Sequence, residues 1–106
     1  MKLDENIFKA LANQTRIDIL AWLKNPEVEF TDVPVENIRY MLQHFGGICG
    51  SSIVTRSGLS QSTISNYLKI LVQVDLVQTE RHGKWTYYRR NESMIQNLGK
   101  NIQCDL

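Results

Sequence analysis

The sequence predicts a mainly α fold with a little β structure (α+β), a winged helix-turn-helix with about five to six helices and a two-stranded hairpin as its wing. Three observations carry that prediction. A helix-turn-helix pattern runs from Ser51 to Lys69, broken by the turn Gly58-Leu59-Ser60. Two runs rich in β-branched and aromatic residues follow, Leu76 to Arg81 and Trp85 to Arg90, joined by His82-Gly83-Lys84. Charge is the third. From Ser51 to Arg90 six Lys or Arg stand against two acids, whereas the rest of the chain holds six basic and nine acidic residues. A protein of net charge +1 thus concentrates its positive charge in one stretch.

Taken in order, residues 4–12 read as a helix with Ile7, Phe8 and Leu11 as its stripe and Asp4 as its N-cap. Asn13-Gln14 interrupts it. Thr15 is placed to cap a second helix, Arg16 to Lys24, turning Ile17, Leu20, Ala21 and Leu23 inward, and Asn25-Pro26 ends it. Glu27 to Val33 reads as an acidic loop. Pro34 or Val35 opens a third helix, since Pro is tolerated in the first turn. It runs to about Phe45 with Ile38, Met41 and Leu42 as its stripe, and Gly46-Gly47 closes it.

Ile48 to Ser57 is the expected first helix of the helix-turn-helix, capped by Ser51 or Ser52, with Ile53, Val54 and Leu59 inward. Gly58 falls where the chain needs a positive φ. Ser60 then caps the next helix by accepting from a backbone N–H of its first turn. Ile64, Leu68, Leu71 and Val72 share one face of that helix. Gln61, Ser62, Ser65, Asn66, Lys69 and Gln73 form the opposite, polar face. Gln and Asn can make paired hydrogen bonds to adenine, and Ser and Thr can bond bases or phosphates. The candidate DNA-contacting set is therefore Ser60, Gln61, Ser62, Thr63, Ser65, Asn66 and Lys69 from the helix, with Arg81 and Lys84 from the hairpin tip. A solvated face of an ordinary amphipathic helix is the plainer alternative for the helix alone. After the hairpin, Asn91 caps a last helix from Glu92 to about Gln103, with Met94, Ile95, Leu98 and Ile102 on one face.

Composition bounds the remainder. A length of 106 residues allows one domain, 1–106, with a modest core. The 42% hydrophobic and 22% charged fractions are those of an ordinary soluble protein. No apolar run is long enough to span a membrane, the N-terminus has no signal-peptide pattern, and two cysteines make no disulfide framework, so a cytoplasmic setting is expected. No Gly-rich phosphate loop or nucleophile–base–acid order is present, which argues against an enzyme. The rival from another class is a winged-helix module that binds protein.

The run Leu59-Ser-Gln-Ser-Thr-Ile-Ser-Asn-Tyr-Leu-Lys-Ile-Leu, then Asp75-Leu-Val and Arg81-His-Gly-Lys-Trp-Thr-Tyr-Tyr-Arg, resembles the arsenic-repressor (ArsR) family of winged-helix regulators. So does Phe8-Lys-Ala-Leu-Ala-Asn-Gln-Thr-Arg-Ile-Asp-Ile-Leu. The resemblance covers most of the chain, with residues 27–47 longer than the family's usual connection. It implies a repressor that binds double-stranded DNA as a homodimer, the terminal helices forming the interface, here through Phe8, Leu11, Ile95 and Leu98. From the residues alone, those stripes could equally pack within one subunit. A dimer suits a palindromic operator with half-sites about one helical turn apart.

Many relatives bind a metal through a Cys-x-Cys pair before the turn. Here Cys49 takes one ligand position and Ser51 the other, and a single thiolate is a poor site for a soft metal. The last helix lacks the His of the family's other site, Asp105 being its only late acid. No metal or other cofactor is expected, and the inducer is left open. Some relatives respond to oxidants through two cysteines, which makes Cys49 and Cys104 the candidate redox pair if the fold brings them together.

Overall fold

Side-chain caps set the helix starts. The computed structural model describes residues 3–106. Asp4 accepts from the Asn6 N–H at 2.7 Å and opens α1 (Glu5–Leu11). Asn13 accepts from the Arg16 N–H at 3.1 Å and opens α2 (Gln14–Lys24), so the cap lies two residues before the expected Thr15. A short α3 (Pro26–Glu29) and then α4 (Val35–Phe45) follow. The two-residue strand β1 (Ile48–Cys49) leads into α5 (Gly50–Ser57). Ser60 accepts from the Thr63 N–H at 3.2 Å and opens α6 (Gln61–Gln73), as the sequence predicts. The wing is β2 (Val77–His82) and β3 (Trp85–Arg90), and Asn91 caps α7 (Glu92–Asp105).

Several sequence expectations are corrected. There are seven helices among the described residues, the added one being α3. The expected acidic loop at 27–33 is short because Phe30, 1% exposed, pins it to the core. On α2 the buried residues are Ile19, Trp22 and Leu23, whereas Ile17 and Ala21 face solvent. This helix is apolar on more than one side, and the face that buries the indole removes the most apolar area from water. The Arg56 guanidinium lies 4.5 Å from the Trp22 ring centroid and bonds the Glu29 carbonyl at 2.8 Å, tying α5 to α2 and α3. Leu59, expected inward, is exposed, as is Leu42.

The wing is not a lone hairpin. Ile48 and Cys49 pair antiparallel with Tyr88 and Tyr87, giving a three-stranded sheet in the order β1-β3-β2. The first helix of the helix-turn-helix therefore starts at Gly50 with Cys49 as its N-cap, rather than at Ile48. Two residues are too few to carry an alternation, which is why this strand is silent in the sequence. Gly47 permits it, since a Cβ there would lie 2.5 Å from the Tyr88 carbonyl oxygen. One core joins these pieces, built from Ile19, Trp22, Phe30, Ile38, Ile48, Ile53, Ile64, Leu68, Leu71 and Leu76 among others.

The α6-to-β2 joint is a Schellman closure. The Leu76 N–H bonds the Leu71 carbonyl at 3.1 Å and the Asp75 N–H bonds that of Val72 at 3.0 Å, with Leu71 and Leu76 both buried. The position between them needs a left-handed backbone, and Asp75 supplies it at φ 62°. A Cβ in that conformation costs of order 1–2 kcal/mol, less for Asp than for a branched residue. We expect Asp75→Gly to stabilise the fold by up to about 1 kcal/mol and Asp75→Val to destabilise it by about 1–2 kcal/mol, measured by urea unfolding.

Candidate nucleic-acid interface

Packing divides the polar residues of α6 into separate groups. Ile64, Leu68 and Leu71 are buried, which fixes the helix's rotation. Ser62, Asn66, Lys69 and Gln73 recur at spacings of four, three and four residues and form an exposed ridge directly opposite. Gln61 and Ser65 turn sideways toward the wing. With Thr55, Lys84, Trp85 and Thr86 they line an open groove of about 540 Å³ whose floor includes Ile64 and Leu68. Ser60 and Thr63 are engaged in the cap, the Ser60 hydroxyl donating to Thr63 Oγ1 at 2.8 Å. Tyr67 lies on the far side, 5.1 Å from the Arg16 guanidinium.

The basic residues of the wing are sorted too. Arg89 bonds Gln78 at 3.2 Å and Glu80 at 3.3 Å, and Arg90 bonds Glu92 at 2.9 Å, so both cations are paired within the fold. Among the described residues, Lys69, Arg81 and Lys84 have no carboxylate within ion-pair reach. Arg81 and Lys84 are exposed on either side of the tip, with the Arg81 Nε–H donating to the Gly83 carbonyl at 3.0 Å. Trp85, half exposed beside Lys84, is a candidate contact residue that the sequence reading missed, having been taken only as a strand former. Its presence next to Lys84 at a hairpin tip was the available signal.

Behind this surface, the end of α4 touches the wing. The Phe45 ring stacks on Tyr87 at 4.5 Å between centroids and lies 4.7 Å from the His82 ring. The His82 Nε2 is 3.3 Å from Glu80 Oε1, and the Tyr40 and His44 rings extend the aromatic row along α4. The segment 27–47 thus packs Ile38 into the core and reaches the wing with Phe45.

The remaining sequence-predicted residues are placed as follows. Cys49 is buried, with its Sγ 3.2 Å from Ser51 Oγ and its N–H directed at Met41 Sδ at 3.5 Å, whereas Cys104 is exposed on α7. Both thiols are free. A hydroxyl therefore stands beside the sulfur where a metal-binding relative would have a second thiolate. Among the described residues no three His, Cys, Asp or Glu side chains cluster as a metal site would require. No helix is long and apolar enough to cross a membrane. Of the four residues expected at a dimer interface, Leu98 is covered by its own subunit, Leu11 and Ile95 are half-buried, and Phe8 is exposed. Ile17 and Ile102 are further exposed apolar residues on α2 and α7.

Residues 38–79 match the family model for bacterial regulatory proteins of the arsR family. The chain is 40% identical to the uncharacterized HTH-type transcriptional regulator YbzH of Bacillus subtilis, over 94% of this chain and 95% of that protein. It is 30% identical to the arsenical resistance operon repressor of the same organism, over 94% of this chain and 77% of that one. Among solved structures it is similar to a possible transcriptional regulatory protein (fragment 1–100) of Mycobacterium bovis, with a TM-score of 0.64, 25% identity, and coverage of 96% of this chain and 90% of that one.

Two phenols at the inner edge of this surface couple it to pH. Burial, and secondly the electrostatic influence of Cys49, push Tyr88 above the ordinary 10.0, and the same two causes followed by Tyr40 push up Tyr87. The folded chain holds these protons where the unfolded chain has begun to lose them. Their contribution is complete below about pH 10 and is lost as pH rises from there through the folded-state values. Urea midpoints measured from about pH 9 to about pH 11 should fall with alkali, and Tyr88→Phe should flatten that fall.

Proposed function

This chain belongs to the arsR family of bacterial regulatory proteins, and on that premise we propose that it represses transcription as a homodimer, reading a palindromic operator with the outward ridge of α6 and gripping the flanking backbone with the wing. The family membership makes it a DNA-binding transcriptional regulator and not an enzyme. The finer reading rests above all on one observation: the residues of α6 opposite the core are exposed, uncharged donors and acceptors plus one lysine, and Lys84 of the wing shares a groove with Gln61 and Ser65 of the same helix.

In this reading Asn66 and Ser62 enter the major groove, with Gln61 and Ser65 reaching bases or phosphates from the wing side. Lys69, Arg81 and Lys84 neutralise phosphates. Ser60 and Thr63 hold the helix start, where unpaired backbone N–H groups favour an anion. The whole of 1–106 works as one unit. The exposed Phe8, together with Leu11 and Ile95, which their own subunit covers only in part, supports an apolar contact with a second copy. A dimer would set two α6 helices about one helical turn apart on DNA.

The deciding experiment is selection of bound duplexes from a random pool, performed with reduced and with oxidised protein. A palindromic enriched site is the expected outcome, and failure to enrich any sequence would overturn the reading. Release on oxidation would assign the signal to Cys49 and Cys104, whereas indifference to oxidation would remove the thiols from consideration. On the selected site, Asn66→Ala should relax base preference by about 1–3 kcal/mol. Lys84→Ala should weaken all sequences alike and make the salt dependence shallower by about one charge. Phe8→Glu should shift the protein toward monomer in sedimentation and abolish preference for two half-sites over one.

A further inference from the structure

The aromatic contact between α4 and the wing is not accounted for by base reading, phosphate contact or dimerisation. A two-stranded ribbon is only marginally stable by itself. In this sheet β1 supports β3 only at Tyr87 and Tyr88, so the pairs Arg81↔Thr86 and His82↔Trp85 lie beyond its reach. These are the pairs that flank the tip and set the directions of Arg81 and Lys84. One ring contact that reaches them from the body of the protein is Phe45, whose ring lies 4.7 Å from His82 while stacking at 4.5 Å on Tyr87.

Phe45 is itself firmly placed. Ile38, two turns earlier on α4, is completely buried. Met41 accepts from the Cys49 N–H. Immediately after Phe45, Gly46 turns the chain at φ 70° into the close approach of Gly47 to Tyr88. On the far side, Glu80 Oε1 lies 3.3 Å from His82 Nε2 without forming a hydrogen bond, and the other Glu80 oxygen bonds Arg89 at 3.3 Å. His82 thus packs against a helix anchored in the core, lies beside the Glu80–Arg89 ion pair of the sheet, and is the immediate neighbour of Arg81.

We infer that α4 is a brace for the wing and that Phe45 is a positioning residue for DNA binding, acting through His82 and Tyr87 on Arg81 and Lys84. The inference rests on the reading of the wing as a phosphate-gripping element. Holding the tip in place before DNA arrives removes the entropy cost of ordering it at binding. Phe45 touches no nucleic acid in this scheme.

The test measures affinity against salt concentration for a fluorescent duplex carrying the selected site, using the full chain, Phe45→Ala, Phe45→Tyr, Lys84→Ala and the Phe45→Ala/Lys84→Ala double variant. Phe45→Ala should bind about tenfold more weakly, with a salt dependence shallower by about one to two charges. Phe45→Tyr should restore both. The double variant should lose much less than the product of the single losses, because both changes disable the same contact. A merely structural phenylalanine would lower the folded fraction and leave the salt dependence of the folded protein unchanged. Should Phe45→Ala fail to fold, Phe45→Leu, which fills the space without a stacked ring, is expected to show the same shallower dependence. An unchanged salt dependence in both, or independent losses in the double variant, would overturn the brace while leaving the DNA reading intact if Lys84→Ala behaves as expected. An unmutated protein that binds no duplex would overturn both.

Discussion

Two residue pairs, Ile48 with Tyr88 and Cys49 with Tyr87, tie the entrance of the helix-turn-helix to the middle of the wing. Most of the architecture depends on that short antiparallel bridge. It sets where α5 begins, because the strand ends at the residue that caps the helix. It seats α6 by placing the fully buried Ile48 in the same core as Ile53, Ile64 and Leu68. It also fixes the groove between α6 and β3, so that Gln61 and Ser65 face Trp85 and Thr86 across a defined gap. The bridge rests on the absence of a side chain at Gly47, where a Cβ would collide with the Tyr88 backbone.

The parts of the fold that the sequence displays are those with local causes. Ser60, Asn91 and Asp4 cap helices because their side-chain oxygens meet N–H groups two or three residues on, a relation visible without the fold. Gly58 takes the positive φ that its position in the turn calls for. The parts that stay hidden have distant causes. The rotation of α2 is decided by Arg56 and the core that receives Trp22, neither of which is marked in the helix's own spacing. Phe30 looks like one apolar residue in an acidic stretch until its burial appears. For the candidate site, the residue types on α6 were legible, but their division into an outward ridge, a wing-facing pair and a cap depends on which face the core claims.

Charge is divided by the same logic. The sequence groups basic residues around the wing, but pairing with Glu80 and Glu92 withdraws Arg89 and Arg90 into the fold. What is left to act at a distance is a small set, Lys69, Arg81 and Lys84, spread across helix and wing. A surface with few uncompensated cations depends on where each one points, since it has little excess charge with which to tolerate misplacement.

The strand order has a further consequence. With β3 in the centre, β2 is an open edge of six residues. Such an edge can accept a strand from another molecule, which leads to aggregation. Here Gln78, Thr79, Glu80 and Arg81 are all exposed along it. Polar and oppositely charged side chains leave no apolar row against which an incoming strand could pack. The exposed polar side chains of the wing's outer strand therefore protect the protein from coalescing through it.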